Sequence, residues 1–397
     1  MSRTGLVALA AALTILGPSL GRAQSRTSGT SRIASSATKG ASPAAVLAAD
    51  LRAKGSTAVN AGRTLQRAGY QTVEIGSALK AAGYDAIEIA GALKAIGLEL
   101  AATAAELRRM GYDMNTMANA LVQSYGPLVV PLTLALKSAG GTATQVARAL
   151  DGAGLSLQQA ATGLRAAGYA TVAVGQALIG AGHTAIEVGA AMKSAGYAVM
   201  DVADALAGAG QSATAGAQAL KAAGFAVADI ARALGQAWSQ TASAAGTTLK
   251  NVGYSATQVF GALATGFQLS AQQTFVTVVE LFGVPDGFLA AKQANIAMGQ
   301  AAKWAMEQGA PASAVASALR QRYAATGAQA ASAIKSGGAT LLATGQALKS
   351  AYAPSAQLLA SWLSPLTRRN ADLLDVLTQV MSISTQTANS IIANLGR

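Results

Sequence analysis

The sequence contains no cysteine and a single histidine, His183. Without cysteine, disulfide bonds, thiolate metal sites, cysteine nucleophiles and a lipid-modified cysteine are excluded. One histidine is too few for the usual zinc site, which takes three or four protein ligands. Serine catalysis through a histidine base would depend on this one side chain, and the sequence has no Gly-x-Ser-x-Gly turn. We therefore expect a protein that is not an enzyme and that holds no metal and no cofactor.

Aromatic residues are also scarce, at 5% of the chain, and charged residues make up 12%, whereas 52% is hydrophobic. Much of the hydrophobic content is alanine, so a single helix would bury little area and would depend on packing against its neighbours. The 29 Lys and Arg residues exceed the 17 Asp and Glu residues. This basic balance favours an acidic partner, such as an anionic glycan or lipid headgroups. Because the charge is spread over a long chain, we do not expect nucleic acid as the partner.

What the sequence has in abundance is a repeat with a period of fourteen residues. A leucine is followed after four residues by a glycine, which suits the left-handed end of a helix, and often by Tyr or Phe. A capping residue comes next, with Glu or Gln three positions on, as in Asp85 and Glu88. This pattern predicts a helix of about eleven residues in each unit. The leucines include Leu65, Leu79, Leu93, Leu107, Leu121, Leu136, Leu150, Leu164, Leu178, Leu206, Leu220 and Leu234, and Met192 stands in the same register.

A second period of twenty-eight residues is visible from Lys137 onward, because basic residues follow every other repeat leucine. Fourteen residues also equal two heptads, so one long coiled coil is the alternative interpretation. Each glycine would then cost about 1 kcal/mol in a helix interior, and the capping residues would have no function. We therefore predict an all-α fold, an α-solenoid of short helices that are paired into 28-residue helical hairpins.

The chain divides into four segments by composition. Residues 1–23 are predicted to be a signal peptide, followed by a flexible tether rich in Ser, Thr and Ala at 24–56, with a first helix beginning near Pro43. Regular repeats at 57–270 predict the solenoid, and 271–397 is interpreted as a diverged helical region. The signal peptide predicts an exported protein, located in the periplasm or outside the cell. A retained membrane anchor is the alternative, although its apolar run is shorter than the roughly 20 residues that span a bilayer.

Basic and aromatic residues with the 28-residue period form the candidate binding site. On a solenoid they would line up from layer to layer, which suits an extended anionic or glycan ligand. The structural alternative is that each cation compensates a helix C-terminus and each aromatic residue packs against a helix cap. The candidate residues are Lys137, Arg165, Tyr169, Lys193, Tyr197, Lys221, Phe225, Lys250 and Tyr254.

These features predict an exported, non-enzymatic helical-repeat protein that serves as a binding or scaffold surface. Its ligand would be another protein or an anionic polymer. Two alternatives belong to other functional classes. A membrane-active protein would use amphipathic helices on lipid, although helices of about 16 Å cannot cross a core of roughly 30 Å. A self-assembling surface protein would use the open ends of the solenoid for end-to-end association.

Overall fold

The computed structural model describes residues 42–395 as a run of short α-helices. The predicted signal peptide and the first part of the predicted tether, residues 24–41, lie outside the described residues. Within 42–395 there are twenty-five α-helices and no strand. A π-helical segment (Leu319–Tyr323) follows α20, and a 3-10 segment (Ser364–Leu366) follows α23. The predicted all-α class is therefore confirmed.

Most helices contain ten residues. The first thirteen are α1 (Pro43–Ala53), α2 (Ala58–Arg67), α3 (Thr72–Ala81), α4 (Ala86–Ala95), α5 (Leu100–Arg109), α6 (Met114–Tyr125), α7 (Val129–Ser138), α8 (Ala143–Gly152), α9 (Leu157–Ala166), α10 (Thr171–Gly180), α11 (Ala185–Ser194), α12 (Val199–Gly208) and α13 (Ala213–Ala222). The others are α14 (Val227–Ala237), α15 (Ala242–Asn251), α16 (Ala256–Gly266), α17 (Ala271–Phe282), α18 (Val284–Gln293), α19 (Met298–Glu307), α20 (Ala312–Ala318), α21 (Gly327–Ser336), α22 (Leu341–Tyr352), α23 (Ala356–Leu363), α24 (Asn370–Met381) and α25 (Thr385–Asn394).

The predicted glycines end the helices of the regular repeats. Gly83 has a φ of +88°, a conformation that an L side chain rarely adopts. Its amide donates to Lys80 O at 2.9 Å, and the amide of Tyr84 donates to Leu79 O at 3.1 Å. These two bonds define a Schellman motif, in which orphan carbonyls of the last turn find donors. The same glycine conformation recurs after most helices, so the chain turns where the sequence predicts.

The predicted capping boxes begin the helices. Before α4, Asp85 Oδ1 accepts from the amide of Glu88 at 2.8 Å, and Glu88 Oε2 accepts from the amide of Asp85 at 2.9 Å. Two of the amides that lack an intrahelical partner are thereby satisfied. Capping boxes with the same spacing begin further helices of the repeat; together with that of Asp85, the first residues of these boxes include Thr142, Ser156, Thr184, Ser255 and Ser270.

The helices stack in two rows. In most layers a helix packs more closely against the helix two along the chain than against its direct neighbour, so odd-numbered helices form one row and even-numbered helices the other. The repeat leucines lie in one continuous core; Leu79 and Leu206, for example, are fully buried. This repeating contact pattern is that of an α-solenoid, as predicted.

The repeat begins earlier than the predicted boundary at residue 57. Helix α1 lies within the segment interpreted as a tether, and it starts at Pro43, where the sequence suggested a first helix. Leu51 and Gly55 occupy its repeat positions, and Gly55 has the same positive φ as the later glycines. At the other end, residues 271–395 continue both rows as α17–α25. No helix within residues 42–395 has the length and apolar character needed to cross a membrane.

Candidate functional site

In the odd row, every helix from α1 to α15 carries a basic residue directly after its repeat leucine, or after Met192 in α11. We call these eight residues the repeat cations: Arg52, Lys80, Arg108, Lys137, Arg165, Lys193, Lys221 and Lys250. The last five are among the candidate residues predicted from the sequence, and the first three are not. The signal was present, since Arg52, Lys80 and Arg108 are spaced by twenty-eight residues.

Most repeat cations donate to the end of the next helix in their row. Lys193 Nζ donates to Ala223 O at 2.7 Å and to Gly224 O at 2.8 Å, at the C-terminal end of α13. Carbonyls at a helix end lack intrahelical donors and carry the negative end of the helix dipole, so a cation is well placed there. Lys80, Lys137, Arg165, Lys221 and Lys250 form the equivalent bonds to Met110, Ala167, Ala195, Val252 and Leu281.

The predicted aromatic residues lie beside the same carbonyls, so that seven of the eight repeat cations also face a ring. Lys193 Nζ lies 4.6 Å from the centroid of the Phe225 ring, and Lys221 Nζ lies 4.5 Å from that of Tyr254. These distances are within the range of cation–π contacts. Arg52, Lys80, Lys137, Arg165 and Lys250 pair in the same way with Tyr84, Tyr112, Tyr169, Tyr197 and Phe282.

The tyrosine hydroxyls differ from layer to layer. Tyr169 Oη donates to Gly141 O at 2.7 Å, one layer back, whereas Tyr197 Oη is buried and has no hydrogen-bond partner among the described residues. Burial raises the pKa of Tyr197 to about 12, against the lowering effect of the Arg165 guanidinium. The residue twenty-eight positions before Tyr197 is itself aromatic, whereas the corresponding position before Tyr169 is a glycine.

The structure thus brings all nine candidate residues into one series of contacts between layers. The cation comes from one layer, and the ring and carbonyls come from the next. Lys137 and Lys193 are half-buried by this arrangement, while Arg165, Lys221 and Lys250 keep more exposed surface. The geometry matches the structural alternative, in which each cation compensates a helix C-terminus and each aromatic residue packs against a helix cap. A ligand-binding role for these residues stays a prediction.

The single histidine lies on the turn after α10. His183 Nε2 is 3.8 Å from Asp151 Oδ1 at the end of α8. Within residues 42–395, no group of three or more His, Cys, Asp and Glu side chains is arranged to hold a metal ion.

Open grooves cross the rows of helices, and they could not be predicted from the sequence because their residues come from separate repeats. One has a cavity volume of about 370 Å³ and runs from the start of α4 across α6 to the end of α8; Asp85, Ala86, Ile87, Asn115, Thr116, Asn119 and Gly152 line it. A smaller cleft of about 230 Å³ adjoins it at Asn115 and is lined by Arg108, Asp113, Met114, Asn115, Gln145 and Arg148.

A third groove, of about 450 Å³, crosses α15, α17 and α19. Its lining includes the amides of Gln272, Gln273 and Gln308. Amide groups supply both a donor and an acceptor, so the two grooves and the cleft can form hydrogen bonds with a polar ligand. No protein-family model matches this chain, and no curated protein shows significant similarity to it.

Proposed function

We propose that the protein is an exported, non-enzymatic scaffold whose helical stack binds another protein or an anionic polymer. The export part of the proposal rests on the sequence of residues 1–23. The non-enzymatic part rests on the absence of cysteine and on the single histidine.

One observation carries the binding part. Two of the grooves each extend over three successive helices of one row, α4, α6 and α8 in the first and α15, α17 and α19 in the second. A groove that continues from layer to layer offers an extended contact surface, which is the way in which solenoid proteins bind long ligands. Amide, hydroxyl and carboxylate groups share these linings with apolar side chains, so hydrogen bonds and apolar contacts would both contribute to binding.

The distribution of charge favours an acidic ligand. The chain has 29 Lys and Arg residues against 17 Asp and Glu residues. Most repeat cations are engaged between layers, so the attraction for an acidic ligand would come from the cations outside that series, together with the exposed parts of Arg165, Lys221 and Lys250. Attraction of this kind is screened by salt and acts over about 10 Å at 0.1 M ionic strength.

Binding of the purified chain from residue 24 onward to an immobilised anionic polysaccharide tests the proposal. We expect binding at low salt that decreases as the salt concentration rises, and no binding to a neutral polysaccharide. Binding that is absent, or that is insensitive to salt, would remove the polymer version and leave a protein ligand. Release of dye from anionic liposomes would instead support the membrane-active alternative, and concentration-dependent polymers in sedimentation would support self-assembly.

A further inference from the structure

Arg108 is the exception among the eight repeat cations. Within residues 42–395 its guanidinium forms no hydrogen bond, no ion pair and no cation–π contact, whereas the side chain of each of the other seven has at least one such contact. The neighbouring Arg109 is engaged, because it bonds Glu106 and the backbone of Val73. The side chain of Arg108 is exposed, at the end of α5.

The sequence and packing of the next layer explain why the guanidinium of Arg108 has no partner there. The position of the ring is occupied by Gly141, which has no side chain to face the guanidinium. A Cβ atom at Gly141 would lie 2.6 Å from Val146 Cγ2 and 2.9 Å from Leu136 O, so a larger residue does not fit without a shift. A one-residue slip in the repeat is not the reason, since Lys221 spans an equal slip and still bonds the next layer.

Arg108 instead lines the cleft of about 230 Å³ together with Arg148, Asn115 and Gln145. Arg148 Nη2 donates to Gly180 O at 2.8 Å, which leaves its other guanidinium nitrogens available. Gln145 Oε1 accepts from the amide and the hydroxyl of Thr142, so its Nε2 remains as a donor. The cleft therefore presents two guanidinium groups and two side-chain amides.

The one acidic residue of the cleft does not pair with these cations. Asp113 caps α6, where Oδ1 accepts from the amides of Asn115 and Thr116 at 2.9 and 3.0 Å and Oδ2 accepts from Thr116 Oγ1 at 2.7 Å. These bonds lower the pKa of Asp113 and keep its charge at the helix N-terminus. The carboxylate oxygens of Asp113 lie beyond ion-pair distance from the guanidinium groups of Arg108 and Arg148.

We propose that this cleft binds the carboxylate of an acidic saccharide. Two guanidinium groups suit a carboxylate, because arginine can donate two parallel hydrogen bonds to its oxygens. A volume of about 230 Å³ is below the roughly 300–1,000 Å³ of sites for drug-sized ligands, which fits one sugar unit. The inference deepens the anionic-polymer version of the proposed function and rests on it.

The adjoining groove favours a saccharide over an acidic peptide. It shares Asn115 with the cleft and continues with Asp85, Thr116 and Asn119. Sugar hydroxyls need donors and acceptors side by side, which amide, hydroxyl and carboxylate groups supply.

Calorimetric titration of the chain from residue 24 onward tests the site. The probes are a galacturonic acid tetrasaccharide, its neutral methyl ester and a tetraglutamate peptide. Arg108→Gln removes a guanidinium that has no hydrogen bond, ion pair or cation–π contact within residues 42–395, so it should leave the thermal unfolding midpoint unchanged. Arg63→Gln is the matched control, because Arg63 is exposed on α2 and has no hydrogen bond or ion pair within residues 42–395.

We expect the acid to bind, the methyl ester to bind at least tenfold more weakly, and Arg108→Gln to lose roughly tenfold in affinity, as for one charge-assisted contact. Arg63→Gln should bind like the wild type. Equal affinity of Arg108→Gln and the wild type would overturn the site and leave the proposed function standing. Preference for tetraglutamate would overturn the saccharide assignment. Failure of every probe would count against both the site and the polymer version of the function.

Discussion

Glycines inside the helices set how closely the layers approach, and Gly175 allows a direct test. It lies in α10, where an added Cβ would be 2.5 Å from Ala205 O and 2.7 Å from Ala205 Cβ in α12. Gly261 also lies in a helix interior, in α16, but a Cβ there would meet no atom within 4 Å. Gly175→Ala and Gly261→Ala therefore make the same chemical change in two opposite environments.

The expected magnitudes follow from two opposing effects. Alanine in place of glycine stabilises a helix interior by about 1 kcal/mol. At Gly175 the added methyl must also move from 2.5 Å to an ordinary contact distance of at least 3.4 Å, and such overpacking costs about 1–3 kcal/mol. We expect Gly175→Ala to lower the free energy of unfolding by up to about 2 kcal/mol, after the gain in helix propensity is included. Gly261→Ala should raise it by up to about 1 kcal/mol.

Urea unfolding followed by far-ultraviolet circular dichroism measures both changes. Amide hydrogen exchange shows which helices are destabilised, because each layer of a solenoid contacts only its neighbours. Exchange should increase in α10 and α12 of Gly175→Ala and should be unchanged in distant helices. A Gly175→Ala variant as stable as Gly261→Ala would refute the close approach of α10 and α12.

Three further predictions concern the contacts between layers. Tyr169→Phe removes a hydrogen bond and should lower the free energy of unfolding in urea by about 1 kcal/mol, whereas Tyr197→Phe removes an unpaired hydroxyl and should lower it little. Equal losses of stability in the two variants would contradict the assignment of these hydrogen bonds. Burial raises the pKa of Tyr197 from 10.0 to about 12, so the stability that is present below pH 10 should decline as the pH rises toward 12. Urea midpoints measured across this pH range should show a weaker decline for Tyr197→Phe than for the wild type. Lys193→Met should lower the free energy of unfolding by about 1 kcal/mol, since the two hydrogen bonds from Lys193 to carbonyls lie at a partly exposed site. The control is Lys303→Met, which removes an exposed ion pair with a distance of 3.9 Å and should change the free energy of unfolding by less than about 0.5 kcal/mol.

The helices and turns could be predicted from the sequence because their causes are local. Gly83 and the pair of Asp85 and Glu88 act within a few residues of one another, so their spacing alone indicates where a helix ends and the next begins. The early start at α1 was harder to predict, since Leu51 and Gly55 are embedded in a segment whose composition resembles a linker. Composition and periodicity gave different answers there, and periodicity was the better guide.

The role of the candidate site could not be predicted in the same way, because a periodic sequence places the same residue types in every layer. Lys193 could point to solvent or to the next layer with an identical pattern, and only the structure shows its bonds to Ala223 and Gly224. The informative position is the one where the pattern fails. Arg108 keeps the period while Gly141 breaks it, so a cation is present without the ring that pairs with it elsewhere. In a solenoid such an exception disturbs only adjacent layers, which makes a single irregular layer the place where a binding site can arise without loss of the stack.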